Sequence, residues 1–142
     1  MPYEALNQTL YTTAATNEGG RDGTVRSEDG VIELELGKPG SRSNPKANPE
    51  TLFAAGYAAC FGGALGHVAG EAGVDITGFA VRAAVSFGLT DTGVGIAVDI
   101  DALLPGLDEA MAKDLVQRAH LGCPYSKATH GNIDVTVTSR VA

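Results

Sequence analysis

The sequence predicts an α+β fold in a single domain of residues 1–142. With 142 residues the chain is long enough for one hydrophobic core and too short for two comfortable ones. Its 44% hydrophobic and 19% charged residues indicate an ordered globular protein. Strand and helix patterns follow one another in the order βββ-α-ββ-α-β. Strands grouped in this way indicate α+β rather than a doubly wound parallel sheet.

The N-terminal part of the chain predicts three strands. Residues 5–14 are enriched in Thr and Tyr, which favour extended structure. Asp29-Gly30 separates two further extended runs, residues 24–28 and 31–36, and this dipeptide is a strong hairpin signal. The second run alternates apolar and acidic residues, so it predicts a half-buried strand.

A polar loop over residues 37–47 leads to the first predicted helix. Asn48 is a good N-cap, Pro49 suits the first helical position, and Glu50 complements the positive end of the helix dipole. The helix is expected to end near residue 70. Each glycine inside it costs up to about 1 kcal/mol relative to alanine, so close packing must compensate. We therefore expect a central helix that is buried all round, covered by a sheet or by a second copy of itself.

Residues 51–70 could also be taken for a membrane span. They are almost free of charge and close to the roughly 20 residues that a transmembrane helix needs. Gly62, Gly66 and Gly70 have the small-residue spacing of packed membrane helices. However, the segment is richer in Ala and Gly than in Leu and Ile, it contains His67, and the rest of the chain predicts amphipathic strands that need a core. We therefore expect a buried helix and no membrane partner.

The C-terminal half predicts two strands, a helix and a last strand. Alternating apolar residues mark strands at residues 79–87 and 96–100, with a turn at residues 90–93. A helix is expected over residues 108–121, and Pro124 should begin a short turn after it. The apolar stripe of that helix is Leu107, Met111, Leu115 and Ala119, and the last strand points Ile133, Val135 and Val137 inward.

Charge and cysteine usage restrict the partners and the location. The formal net charge is −7 and the chain has no basic stripe, so nucleic acid is not expected as a partner. The N-terminus lacks the basic and apolar regions of a secretory signal, which predicts a cytoplasmic, reducing location. A lasting structural disulfide is uncommon there. No residue spacing resembles a metal site.

Cys60 and Cys123 are the only two cysteines. A cysteine inside an apolar helix is usually a small buried hydrophobe, and Cys60 on its own favours that interpretation. Cys123 precedes Pro124, so it is expected to cap a short helix whose backbone N–H groups favour a thiolate. Local sequence alone leaves packing, a disulfide and a redox couple open.

Several motifs, taken together, resemble the organic hydroperoxide resistance (Ohr) family of the Ohr/OsmC superfamily. The resemblance covers essentially the whole chain in the right order, and the Phe after Cys60 is similar to the Ohr branch. The motifs are Asn48-Pro-Glu-Thr-Leu-Phe-Ala-Ala-Gly-Tyr-Ala-Ala-Cys60-Phe61, Cys123-Pro-Tyr-Ser126, Gly131-Asn-Ile-Asp-Val135, Gly19-Gly-Arg-Asp-Gly23 and Leu104-Pro-Gly-Leu107.

This resemblance implies an OsmC-like fold, built as an intertwined homodimer with two sites at the subunit interface. It implies a cysteine-based peroxidase with no metal, haem or flavin cofactor. Cys60 would be the peroxidatic thiolate, Cys123 the resolving thiol, and Arg21 and Glu50 the residues that prepare the site. Organic and fatty-acid hydroperoxides would be the substrates, and a lipoyl dithiol on a carrier protein, or another dithiol, would be the reductant.

The chemistry of these residue types agrees with the implied roles. A thiol in an apolar helix needs a nearby cation to ionise, and Arg is always charged. A carboxylate can orient the guanidinium through a bidentate pair. The apolar side chains of Phe53, Phe61 and Tyr125 are predicted to contact an alkyl hydroperoxide.

Helix geometry raises a question about how the site is assembled. Glu50 and Cys60 are ten residues apart, roughly 15 Å along a straight helix, so they cannot touch on it. Either Arg21 bridges them, or Glu50 comes from the partner subunit. We hypothesise that the dimer interface resolves this distance. After Cys123 the chain departs from the family pattern, because Lys127 and His130 replace the usual Asn and Arg.

Two other functions stay open at this level. One is a Cys–His hydrolase that uses Cys60 or Cys123 with His120 or His130. The other is a non-catalytic dimer that binds a lipid or another ligand in an apolar pocket.

Overall fold

The computed structural model describes residues 3–40 and 42–142. The chain forms two compact units, Met1–Leu52 and Phe53–Ala142, which are described in turn. Its elements are β1 (Ala15–Glu18), a 3₁₀ turn (Gly20–Asp22), β2 (Thr24–Ser27), β3 (Glu33–Glu35), α1 (Pro49–Ala72), β4 (Ala80–Thr90), β5 (Gly93–Leu103), α2 (Glu109–Gly122), α3 (Pro124–Thr129) and β6 (Val135–Arg140). The α+β class and the predicted order are confirmed, with α3 as the short turn expected after Pro124.

The first unit contains an antiparallel sheet in the order β1-β2-β3. The predicted hairpin is confirmed: Gly30 has a positive φ of 75°, and its N–H donates to the Ser27 carbonyl over 3.0 Å. The half-buried strand is only partly borne out. Leu36 is buried, whereas Leu34 is 39% exposed and Ile32 is 43% exposed.

The strand predicted at residues 5–14 is not formed. These residues lie outside any helix or strand, and Leu6, Leu10 and Tyr11 are each more than 80% exposed. The first strand is β1, at residues 15–18, because these residues pair with β2, with Ala15 opposite Ser27. Thr and Tyr content indicates a tendency to extend, but a strand also needs a partner strand to bond with.

Helix α1 begins where the sequence predicted. The Asn48 side chain accepts a hydrogen bond from the Thr51 N–H over 2.8 Å, and Pro49 is the first helical residue. The helix ends at Ala72 rather than near residue 70. Gly73 follows in the left-handed region, with a φ of 68°, which is the usual conformation for glycine just past a helix end.

Within the chain α1 is buried on one face rather than all round. The buried face has the spacing of an amphipathic helix and consists of Tyr57, Phe61, Leu65, Val68 and Ala69. The opposite face is made of small residues and is exposed at Ala55, Ala59, Gly63, Gly66 and Gly70. The helix is also long and apolar enough to cross a membrane, a criterion that core helices of soluble proteins meet too. Covering of the small-residue face by a second copy stays a prediction.

The second unit contains a sheet in the order β4-β5-β6, with β4 and β5 antiparallel and β5 and β6 parallel. Helices α2 and α3 make the crossover that a parallel pair requires. Leu115 and Ala119 of the predicted stripe are buried, whereas Met111 is 39% exposed, because the buried face of α2 consists of Ala112, Leu115, Val116 and Ala119. Residues of α1, β5 and α2 form one hydrophobic core, and Ile133, Val135 and Val137 pack against it as predicted.

Candidate active site

Cys60 and Cys123 meet in the second unit, with their sulfur atoms 3.6 Å apart. Cys60 lies in the middle of α1 and is partly buried, whereas Cys123 joins α2 to α3 and is fully buried. Both are thiols in this structure. The tertiary fold therefore brings together two residues that are 63 positions apart in the chain.

Cys123 is held at the junction between two helices. Its N–H donates to the Ala119 carbonyl over 2.8 Å and closes α2. Its own carbonyl accepts the Lys127 N–H over 2.9 Å and opens α3. As predicted, Cys123 is the N-cap residue of α3, but its side chain makes no capping hydrogen bond. Instead, the Tyr125 N–H in the first turn of α3 bonds to Cys60.

The surroundings of Cys60 work against ionisation. Burial is the largest influence and raises the pKa of the Cys60 thiol, and neighbouring Cys123 raises it further. The hydrogen bond from the Tyr125 N–H opposes them, because it favours the thiolate, but the pKa stays above its usual value. An additional positive charge is therefore needed for a thiolate at neutral pH.

Three aromatic rings form a cluster on α1 and α3 near the thiols. Phe53 lies 6.0 Å from Tyr57 and 6.1 Å from Tyr125, and Tyr57 lies 5.7 Å from Tyr125, all between ring centroids. Phe53 and Tyr125 are thus neighbours of the kind predicted for an apolar pocket. Phe61, which was predicted with them, is completely buried in the hydrophobic core, and this favours a packing role.

Because Gly56 has no side chain, the Tyr125 ring can pack against α1 at this position. A Cβ atom at Gly56 would lie 2.9 Å from the Tyr125 hydroxyl oxygen, closer than a Cβ atom approaches other heavy atoms in proteins. The sequence predicts close packing at the glycines of α1 but does not identify Tyr125 as the neighbour of Gly56. A glycine four residues before a candidate nucleophile is a signal of close approach that could have pointed to it.

We expect Gly56→Ala to stabilise the protein less than Gly70→Ala does. Alanine favours the helix by up to about 1 kcal/mol at either position, but at Gly56 it must displace Tyr125, whereas a Cβ at Gly70 meets no atom within 4 Å. Urea unfolding of both variants measures the difference. Equal stabilisation would show that Tyr125 gives way without cost.

A buried network of polar side chains lies next to the two thiols, and the sequence did not predict it. The Tyr57 hydroxyl is 2.8 Å from the Ser126 hydroxyl and 3.1 Å from that of Thr129. His120 Nδ1 is 2.8 Å from the same Ser126 oxygen. Burial, followed by the charge of nearby His130, lowers the pKa of His120, so the imidazole is neutral at neutral pH.

This network gives no support to the Cys–His hydrolase. His120 binds Ser126 rather than a thiol, and His130 is exposed. Among residues 3–40 and 42–142, neither cysteine is hydrogen-bonded to a histidine.

Arg21 and Glu50 form a bidentate ion pair in the first unit. Arg21 Nη1 donates to Glu50 Oε2 over 3.1 Å and Nη2 donates to Oε1 over 2.5 Å. The hydrogen bond from Arg21 lowers the pKa of Glu50, so the pair stays ionised at neutral pH. Because both residues belong to one chain, the pair itself does not need a carboxylate from a partner subunit. The role of a dimer interface in completing the site stays a prediction.

The loop that carries Arg21 is shaped by its neighbours. The Asn17 side chain donates to the Gly20 and Thr24 carbonyls over 3.0 and 2.9 Å and accepts the Gly20 N–H over 3.1 Å. A side chain at Gly23 would collide with the Glu18 carbonyl oxygen, only 1.7 Å from a Cβ there. The turn is therefore specified by Asn17 and glycine, and it presents Arg21 to Glu50.

Known proteins resemble this chain over most of its length. A family model described as OsmC-like protein matches residues 40–138. The organic hydroperoxide resistance protein of Xanthomonas axonopodis pv. citri is 44% identical over 133 residues, which cover 91% of this chain and 94% of that protein. The organic hydroperoxide resistance protein OhrB of Bacillus subtilis is 45% identical over 130 residues, which cover 89% of this chain and 95% of that protein.

Solved structures extend the similarity to the fold. The crystal structure of an organic hydroperoxide resistance protein from Elizabethkingia anophelis has a TM-score of 0.88 and 44% identity, covering 95% of this chain and 99% of that one. The crystal structure of Bacillus subtilis OhrB has a TM-score of 0.87 and 42% identity, covering 93% of this chain and 100% of that one.

Proposed function

This chain belongs to the OsmC-like protein family, among the organic hydroperoxide resistance proteins, and from that premise we propose that it is a cysteine-based peroxidase that reduces organic hydroperoxides to alcohols. The observation that carries the proposal is the 3.6 Å separation of the Cys60 and Cys123 sulfur atoms. Two reduced thiols this close, one partly exposed and one buried, suit a reaction in which one attacks and the other resolves.

The first step is attack by the Cys60 thiolate on the terminal oxygen of the hydroperoxide. The sulfur–oxygen bond forms as the O–O bond breaks, and the alkoxide leaves with the electron pair and takes up a proton to become the alcohol. Cys60 is thereby oxidised to a sulfenic acid. Cys60 is the better candidate for attack because part of its surface is accessible, whereas Cys123 is fully buried.

The second step is condensation of the Cys60 sulfenic acid with the Cys123 thiol. The Cys123 sulfur displaces the hydroxyl group as water, and a disulfide forms. The sulfur atoms need to close from 3.6 Å to about 2.05 Å. This movement is small enough for side-chain rotation, so the oxidised sulfur is captured before a second peroxide reaches it.

Arg21 supplies the cation that the Cys60 thiolate needs. Burial opposes ionisation of Cys60, and a fixed guanidinium offsets this because it remains charged at every relevant pH. The bidentate contact with Glu50 holds the guanidinium plane in one orientation. The pair thus prepares the site, and Glu50 acts through Arg21.

The aromatic cluster indicates an apolar substrate. Phe53 and Tyr125 offer ring surface near the reacting sulfur, which suits the alkyl part of an organic or fatty-acid hydroperoxide better than hydrogen peroxide. The regenerating partner is a dithiol, such as a lipoyl group on a carrier protein. It would attack the Cys60–Cys123 disulfide and restore both thiols by exchange.

The active form is a homodimer. Apolar residues of the N-terminal segment are widely exposed in the single chain, with Leu6, Leu10 and Tyr11 at 82%, 84% and 85%. The small-residue face of α1 is uncovered as well. Exposed apolar surface of this extent supports association with a second copy. A cytoplasmic location stays a prediction from the sequence.

Stopped-flow mixing of the pre-reduced protein with cumene hydroperoxide tests the function. We expect stoichiometric alcohol, loss of both thiols per chain, and a mass change of two hydrogens for the disulfide. In Cys123→Ser the first turnover should persist, but dithiothreitol-supported turnover should fall by about tenfold or more, because the sulfenic acid lacks its resolving thiol. A wild-type protein that keeps both thiols after mixing would refute the function. Unchanged turnover in Cys123→Ser would remove only the resolving role.

A further inference from the structure

One buried serine hydroxyl connects the three helices that meet at the thiols. Ser126 lies on α3, and its oxygen is 2.8 Å from Tyr57 of α1 and 2.8 Å from His120 of α2. Tyr57 has no exposed surface and Ser126 has 1%. We name this set, Tyr57–Ser126–His120, the hydroxyl relay.

Each residue of the relay lies three positions from one of the two cysteines in the sequence. Tyr57 precedes Cys60 by three residues on α1, which is about one helical turn. His120 precedes Cys123 by three residues and Ser126 follows it by three. The three side chains therefore join the helical turns adjacent to both thiols, on the two sides of the 3.6 Å gap between the sulfur atoms.

The hydrogen bonds of the relay depend on one another. The Ser126 hydroxyl has a single proton, so it donates to one neighbour and accepts from the other. A neutral His120 with an unprotonated Nδ1 accepts from Ser126, and Ser126 then accepts from Tyr57. Every buried side-chain polar atom in the described part of the chain has a partner, so removing one member takes a hydrogen bond away from another.

Helix α3 depends on such anchoring because it is short. It has six residues, too few for a helix to be stable alone in water. Yet its first turn carries the Tyr125 N–H that bonds to Cys60, and Cys123 immediately precedes it. A shift of α3 relative to α1 would therefore change both the sulfur–sulfur approach and the hydrogen bond to Cys60.

We propose that the hydroxyl relay is a positioning device for the resolution step, holding Cys123 against Cys60 so that the Cys60 sulfenic acid becomes a disulfide rather than a sulfinic acid. This inference rests on the proposed peroxidase function. Resolution forms the S–S bond and releases water, whereas a second hydroperoxide oxidises the waiting sulfenic acid to sulfinic acid and leaves as its alcohol. The geometry of Cys123 decides between these two fates, because bond formation is sensitive to displacements of about 1 Å.

The test separates the two chemical steps in Tyr57→Phe and Ser126→Ala. Rapid mixing with cumene hydroperoxide, quenched with a sulfenic-acid trap, gives the rate of the first step, and intact mass gives disulfide and sulfinic acid. We expect disulfide formation to slow by about tenfold, the effect of losing one buried hydrogen bond. The first step should slow much less, because the Tyr125 N–H has a smaller influence on Cys60 than burial has. Sulfinic acid should accumulate accordingly. Tyr57→Phe keeps the aromatic ring, so it carries the test if Ser126→Ala does not fold.

Two comparisons distinguish positioning from packing. The side-chain oxygen of an asparagine can accept the Ser126 hydrogen bond in place of His120 Nδ1. His120→Asn should therefore keep part of the resolution rate that His120→Leu loses. Ser27→Ala removes a buried serine hydroxyl outside the relay, in the β2–β3 hairpin, and it should resolve close to the wild-type rate.

Three outcomes would overturn the inference. They are wild-type resolution in both Tyr57→Phe and Ser126→Ala, equal slowing of both steps, and an Asn variant no better than Leu. If wild-type protein forms no disulfide with hydroperoxide, the proposed function fails first and takes the inference with it. If wild-type protein reacts and the variants match it, only the inference fails.

Discussion

Cys60→Ser is expected to lower the rate constant for reduction of organic hydroperoxides by roughly a thousandfold or more, because a serine hydroxyl does not ionise at neutral pH and cannot replace a thiolate as nucleophile. Serine is nearly isosteric with cysteine, and Cys60 is only partly buried. The fold should therefore survive. Stopped-flow measurement of hydroperoxide loss under single-turnover conditions gives the rate directly.

The control for Cys60→Ser is the melting temperature and the circular dichroism spectrum, both of which should stay near wild type. The Cys123 thiol is retained in this variant, so residual thiol chemistry would show as slow oxidation of Cys123 alone. Full activity in Cys60→Ser would contradict the assignment of the nucleophile. Cys123 would then be the candidate nucleophile, although it is fully buried.

Arg21→Ala is expected to slow hydroperoxide reduction at pH 7 by about 100-fold, the order of effect seen when one preorganised charge-stabilising group is lost. Burial raises the pKa of Cys60, and the proposed Arg21 cation lowers it. Removal of Arg21 should therefore move the acid limb of the rate profile to higher pH. The variant recovers part of its rate as pH rises, since a larger fraction of Cys60 is then thiolate.

Two further variants sharpen the Arg21 test. Arg26→Ala removes a different arginine, located on β2 rather than in the 3₁₀ turn that contains Arg21, and should leave the profile unchanged. Glu50→Gln should give a smaller loss than Arg21→Ala, because the guanidinium keeps its charge and loses only its orientation. An Arg21→Ala profile that overlays that of the wild type would rule out Arg21 as the cation.

Acid should weaken the Arg21–Glu50 pair only at low pH. The folded-state pKa of Glu50 lies below the ordinary value of 4.5. A carboxylate with a depressed pKa contributes stability above its unfolded-state pKa, and that contribution is lost as pH falls through the folded-state value. Changes in activity near neutral pH therefore report on Cys60 rather than on Glu50.

The features that the sequence predicted well depend on neighbouring residues. The start of α1 follows from Asn48 and Pro49, and the hairpin between β2 and β3 follows from Asp29-Gly30. Both signals act within four residues, so the local sequence contains all that is needed.

The features that the sequence missed depend on contacts between distant segments. Residues 5–14 have strand-forming composition, but among residues 3–40 and 42–142 they belong to no strand, and only Ala14 at their end accepts a backbone hydrogen bond, from the Glu28 N–H. Met111 shows that an apolar pattern fixes the buried face of a helix only to within a residue or so. The hydroxyl relay joins Tyr57 to Ser126 across 69 positions, and no spacing rule connects them. The pairing of the cysteines came from the family resemblance and not from their spacing.

The separation of the two cysteines along the chain links oxidation to the free energy of unfolding. A Cys60–Cys123 disulfide would close a loop across 63 positions, and chain-entropy estimates for a loop of this size give roughly 4 kcal/mol of stabilisation. Turnover would thus alternate the protein between a more stable oxidised form and a less stable reduced form. A dithiol that reduces this disulfide would also return the protein to the form that unfolds and is digested by proteases more easily, so the lifetime of the protein would depend on its rate of turnover.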